Sequence, residues 1–240
     1  MPAKRYSKSA LWIHYADVFN LLGGMPVNGS PRDADCAIAL SFARNSIPDN
    51  RLSHTRSLSD CFKGDNLGTI KHINNAYSEE FDPGQPNNDI ALKSMFCVDK
   101  YGTPLLAQWE ICMARYQQSG AQWMTDALAN QKLFCLWPPN RPAYRSIEVL
   151  EDAYRITQEK GWKRPLLLAH DYHMPRVAML AQHFWPEFII GFPTITRTFD
   201  PKAVQMMTTS ARRWYEYEIK SRGHHLLYGY CFGHFQKGRF

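Results

Sequence analysis

His170, Asp171, His173 and Arg176 crowd one short stretch, Arg164-Pro-Leu-Leu-Leu-Ala-His-Asp-Tyr-His-Met-Pro-Arg-Val177. Imidazoles move protons near neutral pH. A carboxylate orients or accepts a proton, and a guanidinium grips an oxyanion through its planar fork. The apolar run Leu166 to Ala169 reads as a buried strand, and Val177, Met179, Leu180 and Ala181 carry a helical pattern opened by Pro175 and Arg176. The polar cluster therefore falls where a strand's carboxyl end meets a helix's amino end, the place where open α/β sheets gather ligands. A cation in a first helical turn opposes the helix dipole by a few tenths of a kcal/mol. An anion bound at the free N–H groups there would offset that cost. Pro175 at the first helical position favours an extended residue before it, which holds His173 near the strand edge.

The pair His170-x-x-His173 also raises a metal reading, with Asp171 adjacent and Glu110 as a donor from a neighbouring strand. Zinc needs at least three protein ligands at fitting geometry, and the backbone between these histidines must turn from strand to helix. No metal site is expected. GxSxG, Walker A and GxGxxG motifs are missing, so hydrolysis or group transfer fits these side chains better than dinucleotide redox chemistry.

The 240-residue chain suits one domain, with a core over about 34–222. Its formal charge of +6 favours anionic partners. The basic residues are scattered and enriched only from Arg212 to Arg239, so a small anionic ligand is expected and nucleic acid has no motif behind it. Cysteines at 36, 61, 97, 112, 135 and 231 form no CxxC pair and read as reduced core thiols. His14, Asp17 and Asn20 interrupt any signal-peptide apolar region, and no run is long enough for a membrane span. The expected location is cytoplasmic.

Leu11, Tyr15, Val18 and Leu22 share a helical face that stops at Gly23-Gly24. Asp35 to Phe42 reads as a strand that exits at Ala43-Arg44-Asn45-Ser46. Residues 46–103 read as an insert or lid region, with helices around 56–62 and 67–79 and a loop at Asp82-Pro-Gly-Gln-Pro-Asn-Asn-Asp89. Strands follow at Pro104–Ala107, Leu133–Trp137, Leu166–Ala169 and Phe188–Phe192. Helices fall between them at Gln108–Gln118 and from Ser146, as N-cap, to Gly161. A last helix covers about Ala203–Arg222, and the aromatic tail beyond it suits packing against the domain or an interface between copies. This alternation predicts a three-layer, Rossmann-like α/β domain with a mainly parallel sheet. In such a sheet the strand exits share one edge. Arg44 and Asn45, Gln108 and Glu110, Arg145, and the His170–Arg176 turn are then predicted to meet in one cleft. There His173 and Glu110, with His170 and Asp171, would handle protons, while Arg176, Arg145, Asn45, Gln108 and Arg44 would hold the anion.

Tyr172-His173-Met174-Pro175-Arg176, following an apolar strand, resembles the Tyr-His-Met-x-Arg element of the ElyC/SanA/YdcF family of Rossmann-like proteins. Tyr144-Arg145-Ser146 through Tyr154 and Leu105 through Glu110 are similar to two further elements of that family. The likeness spans about residues 34–200. The chain departs from the family's pattern at Ser41-Phe42-Ala43-Arg44-Asn45, where members commonly have a glycine-rich exit. It departs again at Ala107-Gln108-Trp109, in place of Ser-Gly-Gly, and at His170-Asp171, in place of a Thr/Ser exit. The resemblance implies a phosphate- or nucleotide-like ligand, with S-adenosylmethionine as a possible cofactor. Two expectations result: an enzyme acting on a small anionic metabolite, or a non-catalytic module that binds a nucleotide or S-adenosylmethionine.

Overall fold

Four short apolar segments pair in parallel to form the centre of the molecule. The computed structural model describes residues 27–43, 82–136 and 145–218. The strands are β1 (Cys36–Ala39), β2 (Leu105–Gln108), β3 (Leu133–Leu136) and β4 (Pro165–Leu168), in the order β3-β2-β1-β4. Ala37 lies opposite Leu105 on one side and Leu166 on the other, so β1 is central. Its residues are buried on both faces, which is why it reads as a continuous apolar run without alternation.

Four helices follow the strands: α1 (Gln85–Tyr101), α2 (Trp109–Ala129), α3 (Ser146–Lys160) and α4 (Met174–Ala181). Ala37, Ala39, Leu105, Ala107, Leu166 and Leu168 pack on Ile90 and Cys97 of α1 and on Ile111 and Met124 of α2. The opposite face, with Ile38, Leu106 and Leu167, packs on Val149 and Leu150 of α3 and Val177 and Ala178 of α4. These are the three layers of a Rossmann-like α/β domain. The chain steps from β1 to β2 to β3 under one helical layer, then returns through α3 to place β4 beside β1. The order therefore reverses between β1 and β4, and their carboxyl ends flank the crevice where such sheets bind ligands.

Several elements differ from the sequence reading. The expected loop at 82–89 is the entrance to α1. Pro86 sits in the first turn, where its missing N–H costs nothing, and Gly84 supplies the entry at φ 78°. Helix α2 continues past its expected end at Gln118; Gly120 interrupts it at φ 78°, and helical backbone resumes to Ala129. The expected strand Phe188–Phe192 contributes one parallel bridge, Leu166 to Ile189. On its outer side the Asn28 side chain takes a neighbouring strand's place, accepting from Ile190 N–H and donating to the Phe188 carbonyl. The expected helix from Ala203 begins instead as a 3-10 turn, Met206–Thr208. Thr208 and Thr209 hydroxyls bond back to the Gln205 and Met206 carbonyls, and Ser210 starts fresh helical backbone over 211–218 (α5). The amphipathic helix at 11–22, the helices at 56–62 and 67–79 and the aromatic tail lie outside the described residues. No helix among the described residues is long and apolar enough to cross a membrane.

Candidate functional site

The exits of β1 and β4 meet through rings. Phe42, just past β1, stacks on His170, just past β4, with centroids 3.7 Å apart and planes 10° from parallel. Phe199 and Trp214 close on Phe42 at 5.6 and 4.7 Å. Side chains fix the β1 exit where a glycine loop would otherwise turn. Gln108 of β2 accepts from Ser41 N–H at 3.0 Å, and Asn87 of α1 accepts from Phe42 N–H at 2.8 Å. The Asn87 amide also donates to the carbonyls of Ala43 and Pro83. Ala43 is thereby held at φ 71°, an uncommon conformation for a residue with a Cβ.

His170 is fully buried, and both its ring nitrogens meet backbone. Nε2 bonds the Thr198 carbonyl at 2.9 Å, so it carries the proton, and Nδ1 accepts from Tyr172 N–H at 3.2 Å. Burial pushes the imidazole down to about 3, against the opposing pull of the Thr198 carbonyl and Asp89. A histidine so placed stays neutral and shapes the turn. Asp171 is equally engaged: its carboxylate accepts from Ile195 N–H at 2.8 Å and pairs with Arg197 at 3.0 Å. Both residues expected to handle protons instead tie the β4 exit to the 195–198 segment.

His173 differs. It caps α4, and the 170–173 backbone curls into a turn, with His173 N–H bonded to the His170 carbonyl. The expected extended conformation is therefore replaced by helical angles, φ −90° and ψ −24°. Met174, not His173, is the residue immediately before Pro175, so the proline's steric restriction does not reach His173. This turn brings His173 Nε2 to 3.0 Å from the Ser146 hydroxyl oxygen at the start of α3. A hydroxyl in hydrogen-bond contact with an imidazole is the basic unit of an activated nucleophile.

Ser146 was expected as the N-cap, but Arg145 takes that place with extended backbone, φ −78° and ψ 153°. Arg145 N–H donates to Glu148 at 2.9 Å, so the Ser146 hydroxyl is left to His173 instead of capping the helix. The signal was present in the sequence. Capping carboxylates sit three residues after the cap, and Glu148 points to Arg145. Arg145 itself extends into solvent while bound to Glu148, and that carboxylate raises its pKa.

The remaining expected residues divide. Gln108 is at the β2 exit, engaged with Ser41. Glu110 opens α2 and is buried at the same edge, and it is one cause, after the Cys112 hydrogen bond and burial, of the raised Cys135 thiol. Arg176 lies in the first turn of α4, where it pairs with Glu218 of α5. Arg44 and Asn45 lie outside the described residues. No group of three metal-ligating side chains forms among the described residues. A separate open depression of about 320 Å³ lies at the other end of the sheet, lined by Asp99, Trp123, Asp126 and Lys132, away from this constellation.

Fold and site together define a Rossmann-like α/β protein with a serine–histidine pair beside its topological switch point. No family model, curated protein or solved structure matches the chain.

Proposed function

We propose that this protein is a hydrolase or group transferase acting on a small anionic metabolite, phosphate-, nucleotide- or carboxylate-bearing, at the carboxyl ends of β1 and β4. The observation that carries the reading is the 3.0 Å contact between Ser146 Oγ and His173 Nε2. In this reading Ser146 Oγ attacks an electrophilic carbonyl or phosphoryl centre and its proton passes to His173 Nε2. The same proton then goes to the leaving group as its bond to the substrate breaks. Water, or an acceptor alcohol in the transferase case, repeats the steps in reverse and releases Ser146. The amino end of α3 is the positive end of its dipole and favours developing negative charge beside the nucleophile. Arg145, exposed one residue before Ser146, supplies the nearby cation that attracts an anionic substrate.

His170 and Asp171 serve as positioning residues in this scheme, because their polar atoms bond the backbone and Arg197. Glu110 belongs to the α2 side of the edge and is assigned no step on the reacting bond. The likeness to the ElyC/SanA/YdcF family supports an anionic ligand and places His173 and Arg176 in its shared element.

An active-site-directed fluorophosphonate probe tests the proposal. Mass mapping is expected to find the adduct on Ser146, with none in Ser146→Ala and roughly a hundredfold slower labelling in His173→Gln. Equal labelling of wild type and Ser146→Ala overturns it. Stabilisation by S-adenosylmethionine or nucleotides in a thermal-shift screen, with no Ser146 adduct, replaces it with the binding-module reading.

A further inference from the structure

Glu218 occupies the group that the crevice offers to an anion. Its carboxylate pairs with Arg176, and the two side chains are 7% and 15% exposed. The rings of Trp214 and Tyr217 lie 5.3 and 5.0 Å from the guanidinium. Trp214 also packs edge-on against His173 at 5.5 Å and donates from its indole N–H to the Tyr172 carbonyl at 2.9 Å. Three residues of α5 thus cover Arg176 and one flank of the imidazole that contacts Ser146.

We infer that α5 is a strap whose Glu218 carboxylate is a built-in ligand of Arg176, exchanged for the carboxylate of the substrate when the site fills. The inference rests on the reading of Ser146 and His173 as the reacting pair. A permanent clasp has no need of charge here. A buried ion pair holds no better than apolar side chains of the same volume, because both charges must leave water. What a guanidinium–carboxylate pair adds is exchangeability, since any carboxylate presenting two oxygens to the same fork replaces it without leaving a buried cation bare. The attachments of α5 to the crevice suit release. Those among the described residues include the Arg176–Glu218 ion pair, the Trp214 indole hydrogen bond and ring contacts, with Ser210 holding the helix start through the N–H groups of Arg213 and Trp214. Arg176 is also in the first turn of α4, so its anion sits at that helix's positive end whether Glu218 or the substrate supplies it.

Succinate is the probe, followed by calorimetry and by hydrogen exchange of the 211–218 amides in the full chain. Succinate is expected to accelerate exchange across 211–218 in the wild type. It is also expected to bind Glu218→Gln roughly tenfold more tightly than wild type, because the internal competitor is gone. Arg176→Met is expected to lose binding. Equal affinity of wild type and Glu218→Gln, or unchanged exchange at saturating succinate, overturns the strap. Tighter binding of inorganic phosphate than of succinate overturns the carboxylate assignment. Should Glu218→Gln fail to fold, Tyr217→Leu takes its place: it loosens the ring cover but keeps the ion pair, and it is expected to raise succinate affinity in the same direction. Ser146 labelling without strap displacement overturns the strap alone. Displacement without labelling overturns the serine–histidine reading alone.

Discussion

Replacing Asn87 by alanine tests how the β1 exit is held. Asn87 is fully buried, and its carboxamide makes three contacts: it accepts from Phe42 N–H at 2.8 Å and donates to the Pro83 carbonyl at 2.7 Å and to the Ala43 carbonyl. Alanine removes the partner of one N–H and two carbonyls. An orphaned buried polar group costs about 1–3 kcal/mol, and carbonyls, with a second lone pair, fall at the low end. The sum is roughly 3–5 kcal/mol, a large share of the stability of an ordinary domain. Urea unfolding of Asn87→Ala against wild type measures it. Asn87→Asp keeps the acceptor for Phe42 N–H but sets a buried carboxylate oxygen against the Ala43 and Pro83 carbonyls, so its loss should be at least as large. A loss below about 1 kcal/mol in Asn87→Ala, at unchanged urea dependence, would refute the argument that this side chain fixes the exit.

Two further outcomes follow from buried geometry. The His170 imidazole titrates at about 3 in the fold against 6.5 for the free group, so below pH 6.5 the unfolded chain takes up a proton that the folded chain refuses. Its contribution to stability is complete above pH 6.5 and is lost toward pH 3, at about 1.4 kcal/mol per pH unit. His170→Asn should flatten the acid limb of the stability curve by about one proton, and identical slopes in urea titrations between about pH 4 and 6 would contradict the assignment. At Gly191, an added Cβ would meet Pro31 Cγ at 2.7 Å and Leu166 Cδ1 at 3.1 Å. Pro31 is held in a 3-10 turn and has little room to retreat, so Gly191→Ala should destabilise by about 1–3 kcal/mol in the same assay, whereas a neutral result would show that the 188–192 segment is loosely attached.

The four strands were legible because each is short, apolar and bounded by polar or turn residues, the pattern of strands covered on both faces. Helix α1 was hidden because its first turn is written in Gly, Pro and Asn, residues that mark a loop unless the helix beyond them is already known. The edge at Ile189 was hidden for another reason: its outer neighbour is the carboxamide of Asn28, a tertiary contact with no local signature. Within the site, the cluster of His170 to Arg176 located the crevice, but composition alone could not divide its members. Burial against backbone makes His170 a neutral brace, while one turn further on His173 faces Ser146. That division depends on where α3 begins, and a shift of one residue in its cap decided whether the serine hydroxyl bonded its own helix or the histidine.

The way the β1 exit is built also weighs between the two functional readings. A nucleotide module of this architecture cradles phosphate with the backbone N–H groups of its first strand–helix turn, and glycines let the phosphate approach. Among the described residues of that turn, two such donors are already committed. Ser41 N–H goes to Gln108, Phe42 N–H goes to Asn87, and a phenyl ring stacked on His170 fills the space above. Ala43 in a left-handed conformation adds strain of about 1 kcal/mol or more, sustained by the Asn87 contact to its carbonyl. An anion entering this crevice therefore finds no backbone cradle at Ser41 or Phe42. The proposed function puts its recognition on side chains and on the amino end of α3, where Arg145 and Ser146 stand and His173 contacts the hydroxyl. In the proposed hydrolase or transferase reading the ligand lies against the serine–histidine pair, the arrangement a transfer reaction needs.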